Sequence, residues 1–199
     1  MQVRQSPIAF VLLALIFPGG RAQAAPPRCS DCQLLAGIGG TYHFWSSTGG
    51  TVVPLTLVWD RDRYEVGVFR MVSAQSFYDP YLHRQHPTAD PYWGLSASRR
   101  WELIRRPLWR VFFGFGASYK TEADQLSVTR LNFASQLGVR YALNGTGTIV
   151  ELSMRHWSNA GIRLPNRGQD FATLSFVFSP ARLGERFAGV RTREETAAR

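Results

Sequence analysis

The sequence lacks any apolar segment long enough to cross a bilayer as a helix, which takes about 20 residues. Its one sustained apolar run, 8–17, has ten residues and lies near the N-terminus. Arg4 precedes this run, a Pro-Gly-Gly break follows at 18–20, and Ala-Gln-Ala at 22–24 has the small-x-small pattern of a cleavage site. We therefore predict a secretory signal peptide over residues 1–24 and an exported mature chain without a membrane helix.

Cysteine and lysine are both scarce, with two cysteines, Cys29 and Cys32, and one lysine, Lys120. An oxidising compartment favours a structural disulfide between the two cysteines. A redox-active CxxC pair normally accompanies a thioredoxin-like βαβ pattern, which this sequence does not have. His83 and His86 stand in a loop without cysteine and without metal-ligand spacing, so we expect neither a metal site nor an organic cofactor.

Acidic residues are outnumbered, 14 against 23 basic residues, for a formal charge of +9. In an exported protein such an excess suits nucleic acid, anionic lipid or a phosphorylated glycolipid. Nearly all the basic residues are arginine, which favours bidentate contact with phosphate. A solvated basic surface without a specific partner is the alternative interpretation.

The mature sequence is a series of eight stretches rich in aromatic and β-branched residues, separated by turn residues, which is typical of an all-β protein. They cover about 34–45, 51–59, 63–73, 92–103, 108–119, 130–143, 147–157 and 169–178. Several reach the ~9–11 residues that a tilted strand needs to cross a bilayer. Between them, we predict a long polar and aromatic loop over 74–90, and a charged tail over 179–199.

Apolar and polar residues alternate within these stretches, with apolar odd positions and small or polar even positions over 130–143. A soluble β-sandwich also alternates, but it buries the apolar face. Long strands, aromatic residues near strand ends and polar faces carrying both charge signs instead favour a membrane barrel with a filled interior. The charged residues of these faces are Arg100, Glu102, Arg140, Glu151 and Arg155. We predict an eight-stranded antiparallel transmembrane β-barrel over 25–178.

Three polar residues collect on the lipid-facing side at one end of the last two stretches. His156 and Ser158 share the apolar face of the first, and Asp170 begins the apolar face of the second. Antiparallel pairing through a hairpin centred near Arg163 places His156 opposite or diagonal to Asp170. Polar groups that face lipid cost free energy, so three of them at one place suggest a function. Their types are those of a serine nucleophile, a histidine base and an orienting acid. Ordinary interfacial polar residues are the alternative.

The residues after Ser158 add candidate donors for an oxyanion. The Asn159 side chain and the backbone N–H of Gly161 are placed to stabilise the tetrahedral intermediate of ester hydrolysis. With both chain termini on the periplasmic side, the end of the seventh strand and the loop 159–167 lie at the cell surface. We therefore expect His156, Ser158 and Asp170 to contact acyl esters of the outer leaflet.

The run His-Trp-Ser-Asn-Ala-Gly-Ile at 156–162, followed by Pro165, Asn166 and Gly168, resembles the outer-membrane lipid A 3-O-deacylases of the PagL type. The resemblance implies an eight-stranded barrel with His156 and Ser158 as base and nucleophile, and with Asn159 and Gly161 in the oxyanion hole. Asp170 departs from that family, which has a glutamate there, so the acid is one methylene shorter. The match covers about the last quarter of the mature chain.

Taken together, these observations predict a serine esterase of the outer membrane that hydrolyses an ester-linked 3-hydroxyacyl chain of lipid A, with position 3 following from the resemblance. The expected partners are lipopolysaccharide and other outer-membrane lipids, and not nucleic acid, and a homodimer is left open. One alternative is a non-catalytic structural or adhesive barrel. Another is an enzyme that transfers the acyl chain to a second lipid instead of to water.

Overall fold

The computed structural model describes residues 31–42, 50–72, 75–79, 84–89, 91–124, 127–143, 147–164, 166 and 168–179, with the backbone alone at 75–79 and 84–89. The predicted signal peptide and the predicted tail beyond Ser179 lie outside these ranges, as do His43 and His83. Cys32 is disulfide-bonded, and Cys29 also lies outside the described residues. No helix formed by the described residues has the length and apolarity needed to cross a membrane.

Eight antiparallel strands close a barrel, and two further strands form a separate small sheet. The strands are β1 Gln33–Tyr42, β2 Thr51–Trp59, β3 Tyr64–Met71, β4 Gln75–Asp79, β5 Arg84–Ala89, β6 Trp93–Arg105, β7 Trp109–Lys120, β8 Leu131–Ala142, β9 Ile149–Ser158 and β10 Gln169–Phe178. The order around the barrel is β1-β10-β9-β8-β7-β6-β3-β2. Each of the eight predicted stretches corresponds to one barrel strand, which confirms the predicted fold class.

The prediction of a loop over 74–90 was wrong in part, because β4 and β5 pair there as an antiparallel hairpin. These strands have only five and six residues, so their sequence pattern is short. Pro87 also interrupts β5, and proline argues against a central strand because it cannot donate to the ladder. Both strands of a two-stranded sheet are edges, where proline is tolerated.

The connections at the two ends of the barrel differ in length. Short turns at 60–63, 106–108 and 143–148 join strands at one end, and longer connections at 43–50, 72–92, 121–130 and 159–168 join them at the other. Outer-membrane barrels have short turns on the periplasmic side and longer loops outside the cell. The end of β9 and the start of β10 therefore lie at the cell-surface end.

Side chains alternate between an apolar outer wall and a filled interior. On β8, for example, Leu137 is 50% exposed on the wall, whereas the adjacent Gln136 is 4% exposed inside. Near the cell-surface end the interior holds Phe69, Trp157 and Phe171, whose rings contact one another edge to face with centroids 5.0–5.5 Å apart. The aromatic cluster closes the barrel directly beneath the end of β9.

Toward the periplasmic end, the interior holds a network of ion pairs. Glu65 contacts Arg155 at 2.6 Å and Arg100 at 3.6 Å. Glu151 contacts both Arg100 and Arg140 at 2.7 Å. Four of the five charged residues predicted on the interior faces, Arg100, Arg140, Glu151 and Arg155, are buried there and paired. For Glu102 the prediction was wrong, because its side chain is exposed and pairs with Arg105 at the periplasmic end of β6.

Candidate functional site

The site begins with His156 and Asp170, which face each other directly across β9 and β10. Both lie on the lipid-facing side of their strands, and His156 Nδ1 is 2.8 Å from Asp170 Oδ1. The Asp170 side chain is 9% exposed, while that of His156 is 45% exposed. The structure therefore pairs a nearly buried carboxylate with an accessible imidazole. Of the two predicted arrangements, the residues adopt the directly opposite one and not the diagonal one.

The orientation of the imidazole depends on Gly168, whose φ of +73° lies in the left-handed region. A Cβ added at Gly168 would meet the His156 ring, with Nε2 at 3.0 Å and Nδ1 at 3.1 Å. Because Gln169 pairs with Trp157, Gly168 lies one row nearer the cell surface, at the level of Ser158. The ring therefore leans toward β10 and toward the level of Ser158.

Ser158 ends β9, two residues beyond His156 and on the same face, with Phe133 of β8 as its register partner. It is half-buried. Among the described residues no hydrogen bond joins Ser158 Oγ to His156. The structure thus brings together the predicted base and acid, and it places the predicted nucleophile on the same face without that hydrogen bond.

A second serine, Ser135 on β8, lies directly opposite His156 on the other side of β9. It is also half-buried on the outer face. The His156 ring nevertheless leans away from β8, because its Nδ1 contacts Asp170 and its Cε1 edge points at Gly168, both on the β10 side. Tyr42, opposite Asp170 on β1, completes a row of four residues across adjacent strands.

The loop after β9 is organised by Asn159, which is 2% exposed. Its Nδ2 donates to the Arg163 carbonyl at 2.8 Å, and its Oδ1 accepts the Gly161 N–H at 3.0 Å. Its own backbone N–H donates to Asn166 Oδ1 at 3.1 Å. The two predicted oxyanion donors thus lie in one turn, and in this structure both are engaged within the loop.

Two inward-facing neighbours anchor His156 and Asp170. Trp157, next to His156, is 2% exposed and packs in the aromatic cluster. Gln169, next to Asp170, is 1% exposed and accepts a hydrogen bond from the Tyr92 hydroxyl. Because alternate side chains of a strand point to opposite faces, these buried contacts fix the height and direction of His156 and Asp170 on the outer wall.

Asn166 and Gly168 belong to the sequence motif without a predicted role, and Tyr42 is not among the predicted site residues. The signal for Gly168 was a glycine directly before a strand, which often marks a positive φ or a close approach. Tyr42 carried no local signal, because only the closure of β1 against β10 brings it beside Asp170.

Chemically, an imidazole whose Nδ1 is held by a carboxylate has Nε2 available to accept a proton from a nearby hydroxyl. Within the described residues, no three His, Cys, Asp or Glu side chains are grouped so as to hold a metal ion. The adjoining loop presents Ile162 and Leu164, which are 67% and 78% exposed. The site therefore joins a polar pair to an apolar, lipid-accessible edge.

Comparison with known proteins points to one family. Residues 42–179 match the family model described as lipid A 3-O-deacylase (PagL). A similar solved structure, described as the outer membrane enzyme PagL, has a TM-score of 0.50 and 18% identity, and the match covers 73% of this chain and 98% of that one. None of the curated proteins matches the sequence.

Two Pseudomonas aeruginosa barrels are also similar. The N-terminal β-barrel domain of OprF has a TM-score of 0.43 and 9% identity, over 75% of this chain and 98% of that one. The outer membrane protein OprG has a TM-score of 0.43 and 10% identity, over 75% and 96%.

Proposed function

Because the chain belongs to the lipid A 3-O-deacylase (PagL) family and forms an outer-membrane β-barrel, we propose that it hydrolyses an ester-linked 3-hydroxyacyl chain of lipid A, at position 3. The observation that carries this proposal is the His156–Asp170 pair, 2.8 Å apart on the lipid-facing wall at the cell-surface end. A hydrolytic pair in that position meets lipid of the outer leaflet, which is where lipopolysaccharide resides.

In the proposed mechanism Ser158 is the nucleophile. Its Oγ attacks the ester carbonyl carbon while His156 Nε2 takes the hydroxyl proton, and Asp170 holds the Nδ1–H and stabilises the imidazolium. The tetrahedral intermediate expels the sugar alkoxide, which receives the proton from His156. Water then attacks the acyl-serine, giving its proton to His156, and the chain leaves as a free 3-hydroxy acid while Ser158 recovers its proton.

We place the oxyanion hole at the turn that contains Asn159 and Gly161. The Gly161 N–H, which donates to Asn159 Oδ1 in this structure, would exchange that oxygen for the negatively charged oxygen of the intermediate. Asn159 would provide the second donor by releasing the Arg163 carbonyl. Such donors contribute about 3–4 kcal/mol each to transition-state stabilisation where they have been measured.

Support for a lipid substrate comes from the surroundings of the pair. The outer wall next to it is apolar, and the loop adds the exposed side chains of Ile162 and Leu164. The interior behind it is closed by buried Trp157 and Phe171. A substrate therefore reaches His156 from the membrane side, and its acyl chain remains in contact with apolar surface throughout.

The test is mass spectrometry of lipid A from cells that produce the protein. The parent protein should lower the lipid A mass by one 3-hydroxyacyl chain, and Ser158→Ala and His156→Ala should abolish that change while still producing a folded barrel. Ser135→Ala is the matched control, because it removes the other serine beside His156 and should leave the change intact.

The fate of the released chain separates the remaining hypotheses. Recovery of the chain as a free 3-hydroxy acid supports hydrolysis, whereas its appearance on a second lipid indicates transfer. Deacylation that persists in Ser158→Ala contradicts the serine mechanism. An unchanged lipid A mass with the folded parent protein would favour a structural or adhesive barrel.

A further inference from the structure

Three arginines stand in register on adjacent strands at the periplasmic mouth of the barrel. Arg105 of β6 pairs with Arg110 of β7, and Arg110 pairs with Arg140 of β8. Arg106 follows directly in the turn between β6 and β7. We call these four residues the arginine mouth. Like charges on directly opposed residues destabilise a sheet, so this arrangement requires compensating negative charge.

The main compensation comes from Asp62 in the turn between β2 and β3. Its two carboxylate oxygens lie 2.6 Å from Arg110 and 2.7 Å from Arg140. The turn is held in an unusual conformation, since Asp60, Arg61 and Asp62 have φ values of 50°, 54° and 68°. Non-glycine residues in that region are strained and persist where other contacts hold them. One strained turn therefore delivers a single carboxylate to two arginines.

That compensation is incomplete. Arg105 donates from Nε and Nη2 to both carboxylate oxygens of Glu102 at 2.8–3.0 Å, and no described residue accepts from its Nη1. Glu151 is shared between Arg100 and Arg140. Arg106 forms no ion pair with any other residue that the structure describes. The ion pairs that share residues set four guanidinium groups against three carboxylates. The separate Arg105–Glu102 pair and Arg106 raise these totals to six and four. The six are Arg100, Arg105, Arg106, Arg110, Arg140 and Arg155, and the four are Asp62, Glu65, Glu102 and Glu151.

The arginine mouth borders an open cavity of about 460 Å³. Leu108 and Trp109 line the same cavity and are 38% and 37% exposed at the edge of the lipid-facing wall. The cavity is therefore lined by four arginine side chains, whose guanidinium groups suit the oxygens of phosphate, and by an apolar side at the edge of the lipid-facing wall.

We propose that the arginine mouth binds a phosphate-bearing ligand, held by Arg105, Arg106 and Arg110. An anionic phospholipid headgroup of the periplasmic leaflet and soluble inorganic phosphate share this chemistry. Leu108 and Trp109 favour the phospholipid over free phosphate, because its glycerol and acyl chains can pack on these side chains and along the lipid-facing wall. The site lies at the opposite end of the barrel from His156, so it is independent of the deacylation proposal.

The experiment uses the full mature chain purified in a neutral detergent. Native mass spectrometry counts bound phosphatidylglycerol, and ³¹P line broadening follows inorganic phosphate in a parallel sample. Arg105→Gln/Arg106→Gln removes two exposed charges from the cavity. Arg61→Gln/Arg63→Gln is the matched control, because it removes two exposed charges at the same end that do not line the cavity.

We expect the parent to retain phosphatidylglycerol and the cavity variant to bind it at least about tenfold more weakly, since each basic side chain near an anionic headgroup contributes measurably to binding. The control variant should bind like the parent. Binding of inorganic phosphate with the same dependence on Arg105 and Arg106, but without retained lipid, identifies the soluble source and also supports the site.

Equal weakening in both variants would show diffuse charge attraction and overturn the proposal. Absence of both ligands from the parent protein would overturn it as well. Deacylase activity measured on the same samples should be equal in the parent and in both variants. A failure of the phosphate site can thus be told apart from a failure of the proposed function.

Discussion

His156 and Asp170 are register partners at the cell-surface ends of β9 and β10, and their side chains meet at 2.8 Å on the outer wall. Direct opposition is the shortest cross-strand arrangement. It allows an aspartate to reach the imidazole, although the PagL family pattern has a longer glutamate at this position. The aspartate therefore contacts His156 although it is one methylene shorter than the glutamate.

The first prediction concerns the charge of Asp170. Asp170→Asn keeps the size of the side chain but removes the negative charge beside His156 Nδ1, so kcat should fall on the order of 10²–10⁴-fold. The kcat of Ser158→Ala should fall further. Asp170→Glu, which restores the charge, should retain more activity than Asp170→Asn. Initial rates of fatty-acid release from lipid A in detergent micelles measure all three, and an Asn variant as fast as the parent contradicts the orienting role.

The second prediction concerns Gly168, which lies against the imidazole. In Gly168→Ala the added methyl group would overlap His156 Cε1, so the imidazole must shift. Activity should then fall on the order of 10²-fold, which is the cost of displacing a catalytic group by about 1 Å. Gly147→Ala is the control, because Gly147 has a similar φ of +66° and nothing within 4 Å of an added Cβ. Both variants place alanine at a similar positive φ, so equal activities would show that contact with His156 is unimportant.

The third prediction concerns the apolar loop beside the site. Replacing Ile162 and Leu164 by serine removes two side chains that are 67% and 78% exposed and available to an acyl chain. The apparent KM for lipid A should rise roughly tenfold or more, because burial of one such side chain contributes about 1.5–3 kcal/mol, while kcat changes little. Leu103→Ser, which changes a 57% exposed residue at the far end of the barrel, should leave KM unchanged. A fall in kcat alone would instead indicate a disturbed catalytic turn.

The fourth prediction concerns the buried ion network. Glu151→Gln deprives Arg100 and Arg140 of their shared carboxylate in an interior where both side chains are 2–3% exposed. Removing one partner of a buried pair typically costs about 3–5 kcal/mol, so the free energy of unfolding in lipid vesicles should fall by that order. Glu102→Gln breaks the exposed pair with Arg105 and should change stability little. Equal stability of the two variants would contradict a stabilising role for Glu151.

Much of the fold could be predicted because the pattern that specifies it is local. Alternation with a period of two assigns each residue of a strand such as Leu131–Ala142 to the wall or the interior, whatever the strand pairs with. The last predicted stretch, 169–178, has the bounds of β10. The β4–β5 hairpin was not predicted, because its strands are short and one of them contains Pro87, a residue that is atypical of strands.

The candidate site divides in the same way. The sequence by itself determined that His156, Ser158 and Asp170 share one face at one end of the barrel, because a hairpin sets the register of its own two strands. Only the tertiary structure decided how the imidazole leans against Gly168, since that depends on a positive φ outside either strand.

Contacts between distant strands were likewise decided only by the tertiary structure. Closure of β1 against β10 brings Tyr42 beside Asp170, and the pairing of β6, β7 and β8 aligns Arg105, Arg110 and Arg140 of the arginine mouth. The physical reason is that strand parity is a property of each segment alone, whereas register across the barrel and the shapes of its turns depend on every strand being in place.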